Sequence, residues 1–134
     1  MPNADAIVDA FYRAYNDHDA LAAVRLYAED GRHDEIAFGA ARQGYEELRK
    51  GLEGFFAMMP DVCWRERERI RSADHVAILY EMTGTFLPRP KEGASLPSAR
   101  SVTLEGLHML EIRDGRITVS QDYWDKAEFL AQIA

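Results

Sequence analysis

The spacing of apolar residues changes character partway along the chain: through Met59 they recur at helical intervals, and from Val62 onward they alternate as in strands. Ala6, Ile7, Ala10, Phe11, Ala14 and Tyr15 form a stripe on one face of a first helix, with Asn3 or Asp5 available to cap its free N–H groups. Asn16-Asp17-His18 breaks that helix. Asp19 then serves as N-cap for a second one, which carries Leu21, Val24 and Ala28 on one face and ends at Glu29-Asp30-Gly31. Arg32 to Phe38 reads as a short strand, with His33 and Glu35 on one face and Asp34, Ile36 and Phe38 on the other. Tyr45, Leu48, Leu52, Phe55 and Met59 return to helical spacing, and Pro60-Asp61 closes a third helix.

Beyond it the pattern is that of sheet. Val62 to Arg71 and Val76 to Phe86, joined at Ser72-Ala73-Asp74, are rich in β-branched and aromatic residues and predict a long hairpin. Leu87 to Arg100 holds three prolines and a glycine and reads as a loop. Ser101 to Ile112 and Ile117 to Asp125 form a second hairpin about Arg113-Asp114-Gly115-Arg116, where Asp-Gly supplies the positive φ of a tight turn. Phe129, Leu130 and Ile133 finish a short C-terminal helix. The order α-α-β-α-β-β-β-β predicts an α+β fold in which a curled sheet wraps around helices and encloses a cavity.

Composition narrows the classes of partner. The 134 residues suit one domain spanning 1–134, and 47 % apolar with 29 % charged residues is a globular balance. A net charge of -7 argues against nucleic acid, which needs a positive field to displace counterions. The run Arg65 to Arg71 alternates Arg and Glu and reads as one solvated strand face. Cys63 is the single cysteine, which excludes an internal disulfide and a cysteine-based zinc site. There is no basic, apolar leader at Met1-Pro2-Asn3-Ala4-Asp5 and no apolar run long enough for a membrane span, so a cytoplasmic location is expected.

The second half carries recognisable text: Tyr80-Glu81-Met82-Thr83-Gly84-Thr85-Phe86, a loop ending Pro97-Ser98-Ala99-Arg100, Leu110-Glu111-Ile112-Arg113-Asp114-Gly115-Arg116-Ile117, then Asp122-Tyr123-Trp124-Asp125 and a tail ending Leu130-Ala131-Gln132-Ile133. In order and spacing these segments resemble the SnoaL-like polyketide cyclases of the NTF2-like superfamily. The resemblance implies a cone-shaped NTF2-like or cystatin-like fold with a curved, mixed but mostly antiparallel sheet. It implies a cofactor-independent cyclase or isomerase that works by acid/base chemistry of the intramolecular aldol type on a small hydrophobic carbonyl compound. It also carries the acid/base aspartate onto Asp122 and its two histidines onto His108 and His33.

Strand alternation suggests what surrounds them. If Asp122 points inward, so do Ser120 and Trp124, and the paired strand offers Leu104, Gly106 and His108. Leu79, Glu81 and Thr83 are the choices from the preceding hairpin, and His33, Glu35 and Tyr12 or Tyr15 complete the mouth. A carboxylate walled by Trp124, Leu104 and Leu79 is desolvated, which is expected to raise its pKa. The opposite set, Val76, Ile78, Tyr80 and Met82 with Leu107 and Met109 nearby, then forms an outer apolar stripe that predicts a homodimer.

Other readings stay open. Asp122-Tyr123-Trp124-Asp125 also resembles the corresponding segment of limonene-epoxide hydrolases, although the positions of their other two catalytic groups fall on Glu81 and Thr83. Ketosteroid isomerases place a carboxylate base on the first strand, where Glu35 sits. A pocket that binds a small apolar ligand without turning it over is the non-enzymatic alternative. No metal is expected, because His33, Asp34 and Glu35 alternate between faces and cannot easily share an ion. No organic cofactor is expected either, for want of a nucleotide or flavin motif.

Overall fold

A computed structural model describes residues 3–88 and 98–134. Most of the Pro-rich loop expected over Leu87 to Arg100 lies outside the described residues, as does Pro97 of the quoted loop motif.

Local signals place the helices. Asn3 caps α1 (Ala4–Asn16) by accepting the Ala6 N–H at 2.8 Å. Asp19 does the same for α2 (Ala20–Val24) through Ala22, at 3.0 Å. α2 is one short turn and stops well before Gly31, because β1 (Tyr27–Glu35) begins five residues earlier than the alternation suggested and takes in Ala28. Ile36–Phe38 is a 3-10 turn rather than strand, and it leads through Gly39 (φ 64°) into β2 (Ala40–Gln43), which pairs antiparallel with β1. All four β2 residues are exposed, so no apolar pattern marks this strand in the sequence. α3 (Tyr45–Met58), β3 (Cys63–Ser72), β4 (His75–Phe86), β5 (Arg100–Arg113), β6 (Arg116–Trp124) and α4 (Lys126–Ile133) follow. Asp114 (φ 52°) and Gly115 (φ 73°) make the tight turn between β5 and β6.

The six strands form one sheet in the order β2-β1-β6-β5-β4-β3. Only β1 and β6 run parallel, which brings the first strand beside the last and makes the sheet mixed but mostly antiparallel. The helices cover one face. Ile7, Val8 and Phe11 of α1, Leu48 of α3 and Phe129 of α4 are buried together with Ile78, Tyr80, Leu104 and Leu110 of the sheet.

The register corrects the sequence reading of β4. Directly opposed residues share a face, and here Ile78 faces His108, Tyr80 faces Gly106 and Met82 faces Leu104. Val76, Ile78, Tyr80 and Met82 are therefore inside, each under 7 % exposed, while Leu79, Glu81 and Thr83 lie on the outer face. The β4 part of the stripe assigned to a dimer interface is core, although its neighbours Leu107 and Met109 do lie on the outer face, and the β4 residues assigned to the pocket are outside. Glu81 makes an ion pair there with Arg65 (3.1 Å).

The Arg-Glu run on β3 is likewise not one solvated face. A bulge between Glu66 and Glu68 shifts the alternation and turns Arg69 toward α1. Its guanidinium binds Glu66 at 2.7 Å, Asp9 at 2.8 Å and Asp5 at 3.1 Å, tying the first helix to the sheet. These contacts raise the Arg69 pKa further above its already high value, the hydrogen bond to Glu66 contributing most.

Candidate active site

A cavity of about 560 Å³ lies between the sheet and α3 and α4. Its walls are mainly apolar and aromatic: Leu48, Leu52, Phe55 and Met58 from α3, Trp64, Met82 and Leu104 from the sheet, Phe129 and Ile133 from α4. Polar groups enter chiefly from the end of the sheet where β1 meets β6. The parallel register sets Glu35 beside Asp122 and His33 beside Ser120, so two carboxylates and a histidine share one patch of the inner face.

Asp122 sits on the cavity wall with its side chain 13 % exposed. Tyr80 donates its hydroxyl to Oδ1 at 2.6 Å, and His108 Nε2 lies 3.5 Å from Oδ2. Behind them, Tyr12 Oη is 2.7 Å from His108 Nδ1. A tautomer with hydrogen on Nε2 points it toward the carboxylate, close but short of a hydrogen bond, and leaves Nδ1 to accept from Tyr12. The Tyr80 ring stacks against the imidazole at 4.6 Å. Burial is the largest influence on Asp122 and pushes its pKa up. The neighbouring His108 imidazole, the hydrogen bond from Tyr80 and the nearby His33 outweigh it, and the carboxyl is held below its ordinary value. This overturns the expectation that burial would dominate. Burial, with the Asp122 charge next in size, raises the Tyr80 and Tyr12 hydroxyls far above the usual phenol range, so both remain protonated donors.

Ser120 organises the neighbouring group. Its hydroxyl is 2.6 Å from both Tyr27 Oη and His33 Nδ1. His33 Nε2 is 3.2 Å from Glu35 Oε2, and Trp124 donates its indole N–H to Glu35 Oε1 at 2.5 Å. Burial lifts the Tyr27 hydroxyl to about 12 against hydrogen bonds that pull it down. Asp34 points the other way, to Arg32 (2.9 Å).

The residues singled out from sequence thus fall into three groups. Asp122, His33, Glu35, Trp124, Leu104 and Tyr15 line the cavity. His108 and Tyr12 stand behind Asp122: His108 is fully buried and does not line the cavity, which places it as a positioning residue rather than a contact for substrate. Glu81, Thr83 and Leu79 are on the far face. Gly106 faces inward but is roofed by the Tyr80 ring; a Cβ there would come within 2.3 Å of the Tyr80 hydroxyl oxygen. Sequence reasoning missed Tyr80 itself, although a glycine one strand away from an aromatic residue is the signal of a ring needing backbone-close space.

Tyr80→Phe should keep the ring and remove the hydroxyl, leaving the carboxylate one hydrogen bond short. A bond of this charge-assisted kind contributes about 1.5–3 kcal/mol. Its loss moves the Asp122 pKa upward, so the acid limb of any Asp122-dependent activity moves to higher pH in Tyr80→Phe. An unchanged pH profile would remove Tyr80 from the site.

Small α+β cones with a carboxylate–histidine–tyrosine cluster walled into an apolar cavity make up the class this fold and site define. Residues 8–120 match the SnoaL-like domain family, and the chain belongs to it. Solved structures agree. A protein with a ketosteroid isomerase-like fold from Catenulispora acidiphila, in complex with trimethylamine, superposes with a TM-score of 0.80 at 28 % identity over 95 % of this chain and 91 % of that one. A candidate polyketide cyclase from Pseudomonas putida gives 0.81 at 22 % identity over the whole of both chains. A candidate SnoaL-like polyketide cyclase from Shewanella putrefaciens gives 0.82 at 13 % identity, covering 98 % and 96 %. The fold is NTF2-like, as the quoted segments implied. No curated protein matches the sequence significantly. Among the described residues, no helix is long and apolar enough to cross a membrane, and no cluster of three or more His, Cys, Asp or Glu side chains is placed to hold a metal ion.

Proposed function

We propose that the protein is a cofactor-independent acid/base enzyme of the cyclase or isomerase type, acting on a small hydrophobic carbonyl compound, with Asp122 as the proton-transfer group. The observation that carries this reading is the Asp122 carboxylate: ionised, 13 % exposed, fixed by Tyr80 and His108, and opening onto an apolar cavity. At neutral pH this carboxylate is in its base form, and its lowered pKa makes it a weak base suited to a carbon whose proton is already activated, as between a carbonyl and an aromatic ring or a second carbonyl. Tyr80 and His108 hold its oxygens in place, and burial keeps the Tyr15 hydroxyl, also in the cavity wall, protonated and engaged with Tyr27. The conjugate acid then returns the proton, or carbon–carbon closure follows within the bound substrate.

The test is deuterium wash-in at the activated carbon of 2-tetralone in heavy water, followed by proton NMR. Acceleration by the wild type supports the reading. Saturable binding of 2-tetralone without exchange supports the ligand-binding alternative instead. The neighbour from Catenulispora acidiphila is itself a small-molecule complex, which accords with either.

A homodimer remains part of the proposal, on a set that keeps Leu107 and Met109 and replaces the β4 residues. On the outer face Leu79, Leu107 and Tyr123 form one row across three strands, with Met109 in the next row. Leu79 is 40 % and Tyr123 41 % exposed, and Ile70 on β3 adds to the patch. Leu79→Glu should convert a dimer to a monomer in light scattering at micromolar concentration, with the circular dichroism of the fold intact. A wild type that is already monomeric would refute the interface.

A further inference from the structure

The cavity's rim carries a polarity that its floor does not. Arg42 of β2 lies directly opposite His33 and therefore shares the inner face with His33, Glu35 and Asp122. Its side chain runs across to α3, where Gly51 makes room for it: a Cβ on Gly51 would fall within 2.5 Å of Arg42 Cδ and 2.6 Å of Nε. Arg42, Gly51 and Lys50 all line the cavity. The guanidinium is not consumed by a close ion pair. Among the described residues its acidic contact is Glu47, at 3.9 Å, outside hydrogen-bond reach, and Lys50 has only Glu46 at 3.4 Å and Glu47 at 3.9 Å. Two cations thus rim one end of a cavity whose polar wall carries two carboxylates, in a chain of net charge -7.

From this we infer that the ligand is an amphipathic carboxylic acid, whose apolar body fills the cavity and whose carboxylate is held at the mouth by Arg42, with Lys50 in support. The inference rests on reading the cavity as the substrate site. The charge pattern also fixes orientation. A carboxylate beside Glu35 and Asp122 is repelled, whereas at Arg42 it meets a planar fork suited to two parallel hydrogen bonds. Arg42 is two strand spacings, about 10 Å, from the strand that bears Asp122. A ligand of two fused rings spans much of that gap and leaves its far end at the carboxylate base. Gly51 acts as a specificity residue by admitting the arginine stem against the helix.

The test is a matched pair of probes, 2-naphthoate and 2-naphthamide, titrated by isothermal calorimetry. These share shape and differ in charge. Wild type should bind the acid about 5-fold or more tightly than the amide, the scale of a partly exposed ion pair, and the ratio should shrink as salt is raised. Arg42→Ala should bring the ratio to about one while leaving amide affinity alone, Arg42→Lys should keep part of it, and Gly51→Ala should reduce it by displacing the arginine. Equal affinity of wild type for both probes, or a preference that survives in Arg42→Ala, overturns the inference and leaves the acid/base reading standing. Binding of neither probe overturns the inference, while the acid/base reading stands or falls on exchange at 2-tetralone.

Discussion

Asp122→Asn is expected to slow proton exchange at the activated carbon of 2-tetralone by about 100-fold or more, the scale lost with a positioned acid/base group. The substitution is close to isosteric. Tyr80 can still donate to the amide oxygen, and the amide N–H faces His108 Nε2, which accepts it once the imidazole takes its other tautomer and gives its Nδ1 hydrogen to Tyr12. Shape and ligand affinity should therefore change little while the proton acceptor is gone. The pH dependence follows from the direction of the shift. Because the folded-state pKa of Asp122 lies below its ordinary value, the base form persists from neutrality to below the pH where a free carboxylate, at about 4, begins to protonate. Activity falls only as pH drops through the lowered pKa. The same ionisation stabilises the fold above the unfolded-state pKa, and that contribution is lost over the same acid window. An Asp122→Asn protein that exchanged at the wild-type rate would end the assignment.

Gly106→Ala is expected to damage the site from one strand away. The added methyl would lie 2.3 Å from Tyr80 Oη, 2.4 Å from Cζ and 2.9 Å from the Tyr123 carbonyl oxygen. The Tyr80 ring stacks on His108 and borders the cavity, so the clash drives it into that space and away from Asp122. Overpacking of this kind costs about 1–3 kcal/mol. In a chain of this size that lowers Tm by several degrees, about 4 °C per kcal/mol. Tyr80 must also leave its place over Gly106, so the hydrogen bond to Asp122 goes with it. Both readouts should move together: a lower Tm by calorimetry and an exchange rate reduced at least as far as in Tyr80→Phe. A stable, fully active Gly106→Ala protein would show that Tyr80 reaches Asp122 by a route that does not need the bare backbone.

Much of the architecture was legible from local chemistry. Helical spacing with Asn3 and Asp19 as caps located α1 and the start of α2, and Asp114-Gly115 defined the β5–β6 hairpin. That hairpin's alternation placed Ser120, Asp122 and Trp124 on one face with Leu104, Gly106 and His108, as the register has it. These are short-range features, set by backbone hydrogen-bonding needs and by a period of two that holds within any strand. What alternation leaves undecided is which face points inward, because that depends on the neighbouring strand and on what covers the sheet. On β4 both faces carry apolar residues, and only the pairing of Tyr80 with Gly106 put the Val76–Met82 set in the core and sent Glu81 and Thr83 outward. β2 was invisible for a related reason: its four exposed residues are strand solely because β1 lies beside them. The balance at Asp122 was also a tertiary decision. Its burial could be foreseen from Trp124 and Leu104, but the hydroxyl of Tyr80, donated from two strands away, and the imidazoles of His108 and His33 beside it reversed the direction of its pKa. Those partners are brought together across separations of 14 to 89 residues by the parallel pairing of β1 with β6 and the stacking of β4 on β5.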